Sequence, residues 1–203
     1  MTAIIDYDAG NLMSVTKALS ALQIENIVTR DRQTILSADR VILPGVGAFA
    51  DAMKKLNDYD LVDIIHEVVE KKIPLLGICL GLQLLFEESE ESPGVKGLGI
   101  LPGKIKRIPD APGLKIPHIG WNSLDYPHGK RGRIFEDVDE GSFVYFVHSY
   151  YLESDDQSIV TATADYGVRI QASVEKDNIF ACQFHPEKSS RVGARILSAF
   201  SKI

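Results

Sequence analysis

The stretch that decides the fold reads Lys71-Lys72-Ile73-Pro74-Leu75-Leu76-Gly77-Ile78-Cys79-Leu80-Gly81-Leu82-Gln83-Leu84-Leu85-Phe86. Its apolar run over 74–78 predicts a buried strand, and residues 80–86 predict a helix. Cys79 lies between them with a glycine two residues away on either side. This is the pattern of a strand–turn–helix nucleophile elbow with cysteine in place of serine. The glycines permit a sharp turn and close approach of a substrate. A small buried cysteine in a tight turn would fit this stretch equally well.

A second motif, Gln183-Phe184-His185-Pro186-Glu187, supplies the groups that a cysteine nucleophile needs. Such a nucleophile requires a base within hydrogen-bonding reach and a third group that orients the base. The β-like segment 178–183 precedes the motif, so His185 is expected at the carboxyl end of a strand, where sites gather in open α/β sheets. A lone histidine would more often be structural. The two motifs together favour a triad of Cys79, His185 and Glu187.

The first half of the chain alternates strands and helices, whereas strand-like segments dominate from residue 99 onward. This pattern predicts an α/β fold: an open, doubly wound, mostly parallel sheet flanked by helices, with an antiparallel β extension in the C-terminal half. No linker or repeat divides the chain, so residues 1–203 are expected to form a single domain. The predicted strands are 2–7, 25–29, 40–43, 74–78, 100–108, 142–152, 159–164, 168–175 and 179–183, and the predicted helices are 12–22, 32–38, 59–71, 80–86 and 189–202.

Composition excludes several classes of protein. A net charge of −6 over 203 residues argues against nucleic-acid binding, which needs a basic face. The longest uncharged run, 73–86, is too short to span a bilayer, and no signal-peptide pattern is present. The two cysteines are therefore expected to be reduced thiols in the cytoplasm. The acidic run 87–91 is interpreted as a solvated loop, and the glycine-rich segment 94–99 as a loop without a nucleotide.

The motifs around Cys79 and His185 resemble those of the class I (triad) glutamine amidotransferases. Within that family the chain resembles the glutaminase subunits of imidazole glycerol phosphate synthase. The blocks that carry this second resemblance extend from the N-terminus to the last helix: Ile4–Tyr7, Gly10–Leu12, Pro44–Gly47, Pro117–Asn122, Tyr145–Tyr150 and Gln183–Ser189.

The resemblance implies hydrolysis of glutamine to glutamate and ammonia through a thioester on Cys79. His185 then carries the proton and Glu187 orients the imidazole. The oxyanion of the tetrahedral intermediate needs backbone N–H donors. One is expected from Leu80, directly after the nucleophile, and the second from the turn formed by Gly45, Val46 and Gly47. Gln83 and the backbone of Ser149 and Tyr150 are expected to bind the substrate.

The same resemblance implies a heterodimer with a (βα)8-barrel cyclase subunit. That partner would use the ammonia to make imidazole glycerol phosphate and AICAR in histidine biosynthesis. No cofactor and no metal are implied. Position 8 is Asp where relatives commonly have Gly, which puts the contact of that turn with the partner in question. The residues expected at the interface are Gly10, Asn11, His118, Trp121, Asn122 and Lys188.

Three other interpretations stay open at this point. The nearest is another triad glutaminase, of the anthranilate, guanylate or pyridoxal phosphate synthase type. The second is a non-catalytic binding module of the same architecture, and the third is a cysteine peptidase. The blocks around Trp121 and Gly10-Asn11 disfavour the first, and the complete triad disfavours the second. Gln83 and the subunit-specific blocks disfavour the third.

Overall fold

The computed structural model describes residues 1–8, 11–129 and 131–203, except for the side chain of His128. Its strands and helices follow one another in the order β1 (Thr2–Ile5), α1 (Leu12–Ala21), β2 (Asn26–Thr29), α2 (Arg32–Leu36), β3 (Arg40–Leu43), α3 (Phe49–Asp58), α4 (Leu61–Glu70), β4 (Leu75–Ile78), α5 (Leu80–Leu84), β5 (Glu88–Ser89), β6 (Lys104–Arg107), β7 (His118–Ser123), β8 (Phe143–His148), β9 (Tyr150–Glu153), β10 (Val160–Tyr166), β11 (Val168–Lys176), β12 (Ile179–Cys182) and α6 (Ser190–Phe200).

A seven-stranded mixed sheet in the order β10-β11-β12-β4-β3-β1-β2 forms the centre of the molecule. Strands β12, β4, β3, β1 and β2 run parallel to one another. Strands β10 and β11 extend this sheet with antiparallel pairing. The predicted fold class is therefore confirmed. The last parallel pair decides the chemistry, because the register of Cys182 with Ile78 brings the chain after β12 beside the chain after β4.

Both faces of the sheet are covered, which explains why its central strands are apolar throughout rather than alternating. Strands β1, β4 and β12 are buried at every position. One apolar cluster contains residues of α2, α3, α4 and α5, and a second contains residues of α1 and α6. Among the described residues, no helix is long and apolar enough to cross a membrane.

Helix α3 and strand β7 were absent from the sequence prediction. Helix α3 buries Phe49, Ala52, Met53 and Leu56, which follow a helical spacing in the sequence. Strand β7 pairs with β8 in a separate antiparallel ribbon. Its sequence looked like a motif of functional residues rather than a strand.

Two predicted segments also differ from the structure. The strand expected over 142–152 is two strands, β8 and β9, which belong to different sheets. The chain changes sheet at Ser149, which lies between them. The interpretation of 87–91 as a solvated loop was wrong, because Glu88 and Ser89 form β5 and pair with β6. Ser89 is buried, and the Glu91 carboxylate accepts a hydrogen bond from the Phe49 N–H at 2.8 Å.

Candidate active site

Cys79 occupies the strained turn that its sequence predicts. It directly follows β4 and precedes α5, with φ 54° and ψ −107°. A positive φ is costly for a residue with a Cβ atom, and such strain persists at sites where the surrounding structure holds it. The turn requires its glycine at 81, because a Cβ there would lie 1.9 Å from the Leu43 carbonyl oxygen. The elbow is thus held between two neighbouring parallel strands.

His185 is fixed beside this elbow by its own backbone. Its N–H donates to the Tyr145 carbonyl at 2.9 Å, and its carbonyl accepts from the Ser189 hydroxyl at 2.6 Å. The Ser189 oxygen also accepts from the Tyr145 N–H at 3.0 Å. Ser189 and the ribbon formed by β7 and β8 therefore hold the segment that carries the imidazole. The imidazole is 1% exposed.

The side chains of Cys79, His185 and Glu187 come together in the structure. The Nδ1 of His185 lies 2.8 Å from Oε1 of Glu187, whose side chain is fully buried. Burial alone lowers the pKa of His185. Interaction with Cys79 and with Glu187, whose carboxylate accepts the hydrogen bond from Nδ1, outweighs burial and raises that pKa to about 10. Since Nδ1 is committed to Glu187, Nε2 is the nitrogen available to the Cys79 sulfur.

A cavity of about 290 Å³ opens at these side chains. It is lined by five of the residues that were predicted to act in catalysis or substrate binding: Cys79, His185, Gln83, Ser149 and Tyr150. Its size is at the lower end of the range for small-molecule pockets, about 300–1,000 Å³, and suits a ligand of amino-acid size. A larger groove of about 790 Å³ lies along β5 and β6, but no cysteine or histidine is among the described residues that line it. Chemistry is therefore expected in the smaller cavity.

Gln83 also connects two segments of the pocket wall through its hydrogen bonds. Its side-chain N–H₂ donates to the Tyr150 carbonyl and to Oε1 of Gln183, both at 3.1 Å. The N–H₂ of Gln183 in turn lies 3.6 Å from the Cys79 sulfur. Gln83 thus ties the segment that bears Tyr150 to the strand end that bears the triad. The sequence motif includes Gln183, but only the fold shows that this residue contacts the nucleophile.

Two further residues line the pocket that the sequence prediction did not include. Glu91 lines the cavity, although the sequence placed it in a solvated run. His148 also lines the cavity, and its Nδ1 donates to the Tyr150 carbonyl at 2.9 Å. Its Nε2 accepts from Nδ1 of the buried His118 at 3.0 Å. Burial lowers the pKa of His148 to about 3 and that of His118 to about 4.

Comparison with known proteins identifies the family of this chain. A family model described as glutamine amidotransferase class-I matches residues 3–202. The chain belongs to the class-I glutamine amidotransferases.

Among curated members, it is 51% identical over 201 residues to imidazole glycerol phosphate synthase subunit HisH of Moorella thermoacetica, covering 99% of this chain and 94% of that protein. It is 50% identical over 202 residues to the protein of the same name from Aquifex aeolicus, covering 99% and 96%.

Solved structures of other amidotransferases share the fold. One described as a glutamine amidotransferase superposes with a TM-score of 0.75 at 20% identity, covering 99% of each chain. The PurLQS structure from Thermotoga maritima gives a TM-score of 0.72 at 19% identity, covering 98% of this chain and 96% of that one. The mixed sheet with a parallel centre and helices on both faces is thus the amidotransferase fold.

The predicted oxyanion hole is not formed in this structure. The Leu80 N–H, expected to donate to the oxyanion, instead donates to the Gly45 carbonyl at 3.3 Å. The turn that contains Gly45 is packed tightly, because a Cβ at Gly45 would lie 2.4 Å from the hydroxyl of Tyr7. That hydroxyl donates to the Pro44 carbonyl at 2.7 Å. Val46 and Gly47 line the cavity beside Leu80, so the predicted segment lies at the pocket. Its Gly45 carbonyl, however, accepts the hydrogen bond of the Leu80 N–H.

The residues predicted at a partner interface separate into two groups. Trp121 is 50% exposed and Lys188 is exposed. His118 is 3% exposed and stacks on Phe146 and Tyr166, so the prediction of a direct interface role for it was wrong. Its apolar stacking partners bury it beneath the ribbon.

The remaining interface predictions fall on polar loop residues. The side-chain N–H₂ of Asn11 donates to Oε1 of Glu187 at 2.6 Å, so this amide is directed at the triad. The Asn122 amide donates to the Asp165 carbonyl at 2.9 Å. Gly10 lies outside the described residues. Asp8 adopts φ 58°, and its carboxylate accepts hydrogen bonds from Arg30 and Tyr59. Aspartate is among the residues with a Cβ atom that tolerate such a positive φ best.

Proposed function

We propose that this amidotransferase hydrolyses the side-chain amide of L-glutamine through Cys79, His185 and Glu187, and supplies the ammonia to a cyclase subunit. The observation that carries the proposal is the meeting of an elbow cysteine with a histidine whose Nδ1 is held by a buried carboxylate. These groups line one cavity of amino-acid size. A triad of this kind performs acyl transfer on unrelated folds.

In the first half of the reaction, the Cys79 sulfur attacks the carboxamide carbon and its proton passes to Nε2 of His185. The oxyanion intermediate collapses as His185 returns that proton to the departing nitrogen, which leaves ammonia and a thioester. In the second half, His185 takes a proton from water, and the resulting hydroxide attacks the thioester. Collapse of this intermediate expels the sulfur, which regains the proton, and glutamate leaves. Glu187 stabilises the imidazolium in both halves.

Glu91 is proposed to bind the substrate's α-ammonium group. It is a carboxylate on the pocket wall, and its bond to the Phe49 N–H at the start of α3 fixes it there. Glutamine carries its positive charge at the end opposite the reacting amide. A carboxylate on the wall therefore selects free glutamine over a neutral amide of similar size.

Weak activity of the isolated chain is proposed from the state of the Leu80 amide. While the Gly45 carbonyl accepts its hydrogen bond, this amide cannot stabilise the oxyanion. Loss of one oxyanion donor costs other enzymes about 10²- to 10³-fold in kcat. We expect partner binding to favour a conformation in which the turn at Gly45 releases Leu80, so that glutamine is not hydrolysed without an acceptor.

The proposed docking surface for a (βα)8-barrel cyclase is the exposed face of the β7–β8 ribbon. Ile119, Trp121 and Phe143 are 58%, 50% and 56% exposed there. Strand pairing places Ile119 opposite Val147, and the Val147 carbonyl lies 3.9 Å from the Cys79 sulfur. A partner on this ribbon would thus cover apolar surface directly behind the nucleophile. The two relatives compared above are named as subunits of a synthase, which supports such a partner.

A domain organisation and a cellular location are proposed with this function. Residues 1–203 act as a single amidotransferase domain, supported by a family match over nearly the whole chain. A cytoplasmic location is supported by the two cysteines, which are free thiols although they lie at the ends of paired strands.

The decisive experiment is co-purification with a barrel cyclase, followed by measurement of glutamine-dependent and ammonia-dependent synthesis. Cys79→Ala should abolish the glutamine-dependent reaction and leave the ammonia-dependent reaction intact. Loss of both activities would contradict the division of labour between subunits. Adding the cyclase's nucleotide ligand should raise glutaminase turnover, and equal turnover with and without it would contradict the proposed control through Leu80.

The docking surface is tested by Trp121→Ala, which should weaken complex formation in a titration by about 10-fold or more, as expected for an aromatic residue central to an interface. Ile27→Ala is the control, since Ile27 is a 40% exposed apolar residue on β2, an edge strand of the seven-stranded sheet and not part of the ribbon. Equal weakening by both substitutions would place the partner elsewhere.

A further inference from the structure

Asn11 has an unusual position for a residue that begins a helix. It directly precedes α1, where asparagine ordinarily accepts a hydrogen bond from a backbone N–H of the first turn. Its side chain makes no such bond. At the start of α2, by contrast, the Asp31 carboxylate accepts from the Thr34 N–H at 2.8 Å. The Asn11 amide instead reaches across 176 positions of sequence to Oε1 of Glu187 at 2.6 Å.

The backbone at Asn11 reinforces this interpretation. Its φ of 78° and ψ of 6° lie in the left-handed region, which asparagine tolerates better than other residues with a Cβ atom. The chain thus adopts a costly conformation and forgoes a cap at one residue. Both features direct its amide at the carboxylate of the triad, so capping of α1 does not explain the residue.

The buried Glu187 carboxylate accepts few hydrogen bonds, and Asn11 donates one of them. The Glu187 side chain is fully buried, and its Oε2 has no hydrogen-bond partner among the residues that the structure describes. Its hydrogen bonds therefore converge on Oε1, one from Nδ1 of His185 and one from Asn11. A buried carboxylate held by one bond alone could rotate, and the imidazole would lose its orientation. The second bond fixes the carboxylate plane.

We propose that Asn11 is a positioning residue of the triad, whose amide N–H₂ fixes Oε1 of Glu187 against Nδ1 of His185. The inference rests on the proposed function, because it assumes that Cys79, His185 and Glu187 perform the chemistry. It also gives the loop before α1 a role in turnover, whereas the sequence had indicated only contact with a partner.

Asn11→Gly is the informative substitution, because glycine adopts the left-handed backbone freely and removes only the side chain. A hydrogen bond to a charged group contributes about 1.5–3 kcal/mol, which corresponds to a fall in kcat of about 10- to 100-fold. With saturating cyclase and its ligand, we expect that fall with KM changed less than about twofold and ammonia-dependent synthesis unchanged. Asn11→Asp, which replaces the donor with a second carboxylate, should cost more than Asn11→Gly.

A titration of His185 by NMR separates positioning from mere stability. Cys79, Glu187 and the more distant His148 are the titratable groups that act on this imidazole. Loosening Glu187 in Asn11→Gly should lower the pKa of His185 from its value in the parent protein. Asp31→Ala is the control, since it removes a true helix cap far from the triad and should reduce stability without moving kcat or this titration.

The outcomes distinguish the inference from the function beneath it. If Asn11→Gly lowers only the melting temperature or only the affinity for the cyclase, with kcat and the His185 titration unchanged, the positioning role is overturned. If Cys79→Ala retains glutaminase activity, the proposed function fails regardless of Asn11. A fall in kcat that Asp31→Ala reproduces would likewise overturn the inference.

Discussion

Two buried histidine sites lie on either side of the same cavity, and they differ in the sign of their pKa shifts. At His185, interaction with Cys79 and with the hydrogen-bonded Glu187 carboxylate raises the pKa to about 10. At His148, the neighbours are a carbonyl and the neutral ring of His118, and burial lowers the pKa to about 3. Burial opposes the charged ring in both places. The acidic neighbour therefore decides which histidine can carry a proton during catalysis.

The comparison also explains the division of labour within the pocket. Because the Nδ1 of His148 donates to the Tyr150 carbonyl, this ring orients the segment that is expected to bind substrate. His118 stacks between Phe146 and Tyr166 and fixes the tautomer of His148 through its own Nδ1. This pair remains neutral and provides structure, whereas His185 provides chemistry.

The largest expected effect is the loss of activity on replacing His185, compared with the same replacement at His148. His185→Asn keeps a donor near Glu187 but removes the base, and kcat for glutamine hydrolysis should fall about 10⁴-fold or more. His148→Asn retains a donor for the Tyr150 carbonyl and should cost no more than about 10-fold, chiefly in KM. Steady-state kinetics of the cyclase complex measures both. Equal losses in kcat would show that the two histidines share the chemical step.

Removal of the acidic neighbour should make the His185 site resemble the His148 site. Glu187→Gln is expected to lower kcat about 10²- to 10⁴-fold, and to lower the pKa of His185 from about 10. A raised histidine pKa adds stability that is complete below the unfolded value of about 6.5 and is lost as the pH rises toward 10.

Urea unfolding at several pH values measures this contribution. The stability gap between the parent protein and Glu187→Gln should therefore be widest below pH 6.5 and narrow as the pH approaches 10. Glu136→Gln makes the same charge change on an exposed side chain and should leave kcat unaffected. A gap that is constant over this range would contradict the assigned role of Glu187.

The His148 site predicts the opposite dependence, on the acid side. Because the folded-state pKa of His148 is about 3, between pH 6.5 and 3 this residue binds a proton in the unfolded chain but not in the folded protein. Each pH unit below 6.5 should then cost about 1.4 kcal/mol of stability from this residue. His148→Asn should flatten the loss between pH 6.5 and pH 5, measured by urea unfolding. An unchanged slope in His148→Asn would contradict this assignment.

The smallest effect concerns the second cysteine. Cys182 is fully buried at the end of β12, and its thiol donates to the Phe184 carbonyl at 3.5 Å. Burial raises its pKa well above the usual range, so it should resist alkylation. Cys182→Ala should cost about 1 kcal/mol of stability and leave turnover unchanged. Mass spectrometry after treatment with a haloacetamide should find label on Cys79 alone, and label on Cys182 would show that β12 opens.

The sequence by itself determined the parts whose signal is local. The apolar run before Cys79, the glycines around it and the spacing of His185 to Glu187 specify an elbow, a base and an orienting carboxylate within short segments. Alternation of strands and helices specified the parallel half of the sheet. Local backbone and side-chain chemistry is enough for these features, because the interacting residues are close in sequence or belong to one repeated pattern.

Only the tertiary structure decided the features that join distant segments. The Asn11 amide on the Glu187 carboxylate, the burial of His118, the place of Glu91 on the pocket wall and the bond from Leu80 to Gly45 all depend on how elements pack. A polar side chain or a backbone amide has several possible partners of similar strength. Which one it meets is set by the register of β12 against β4 and by the ribbon laid over them, and no single stretch of sequence contains that information.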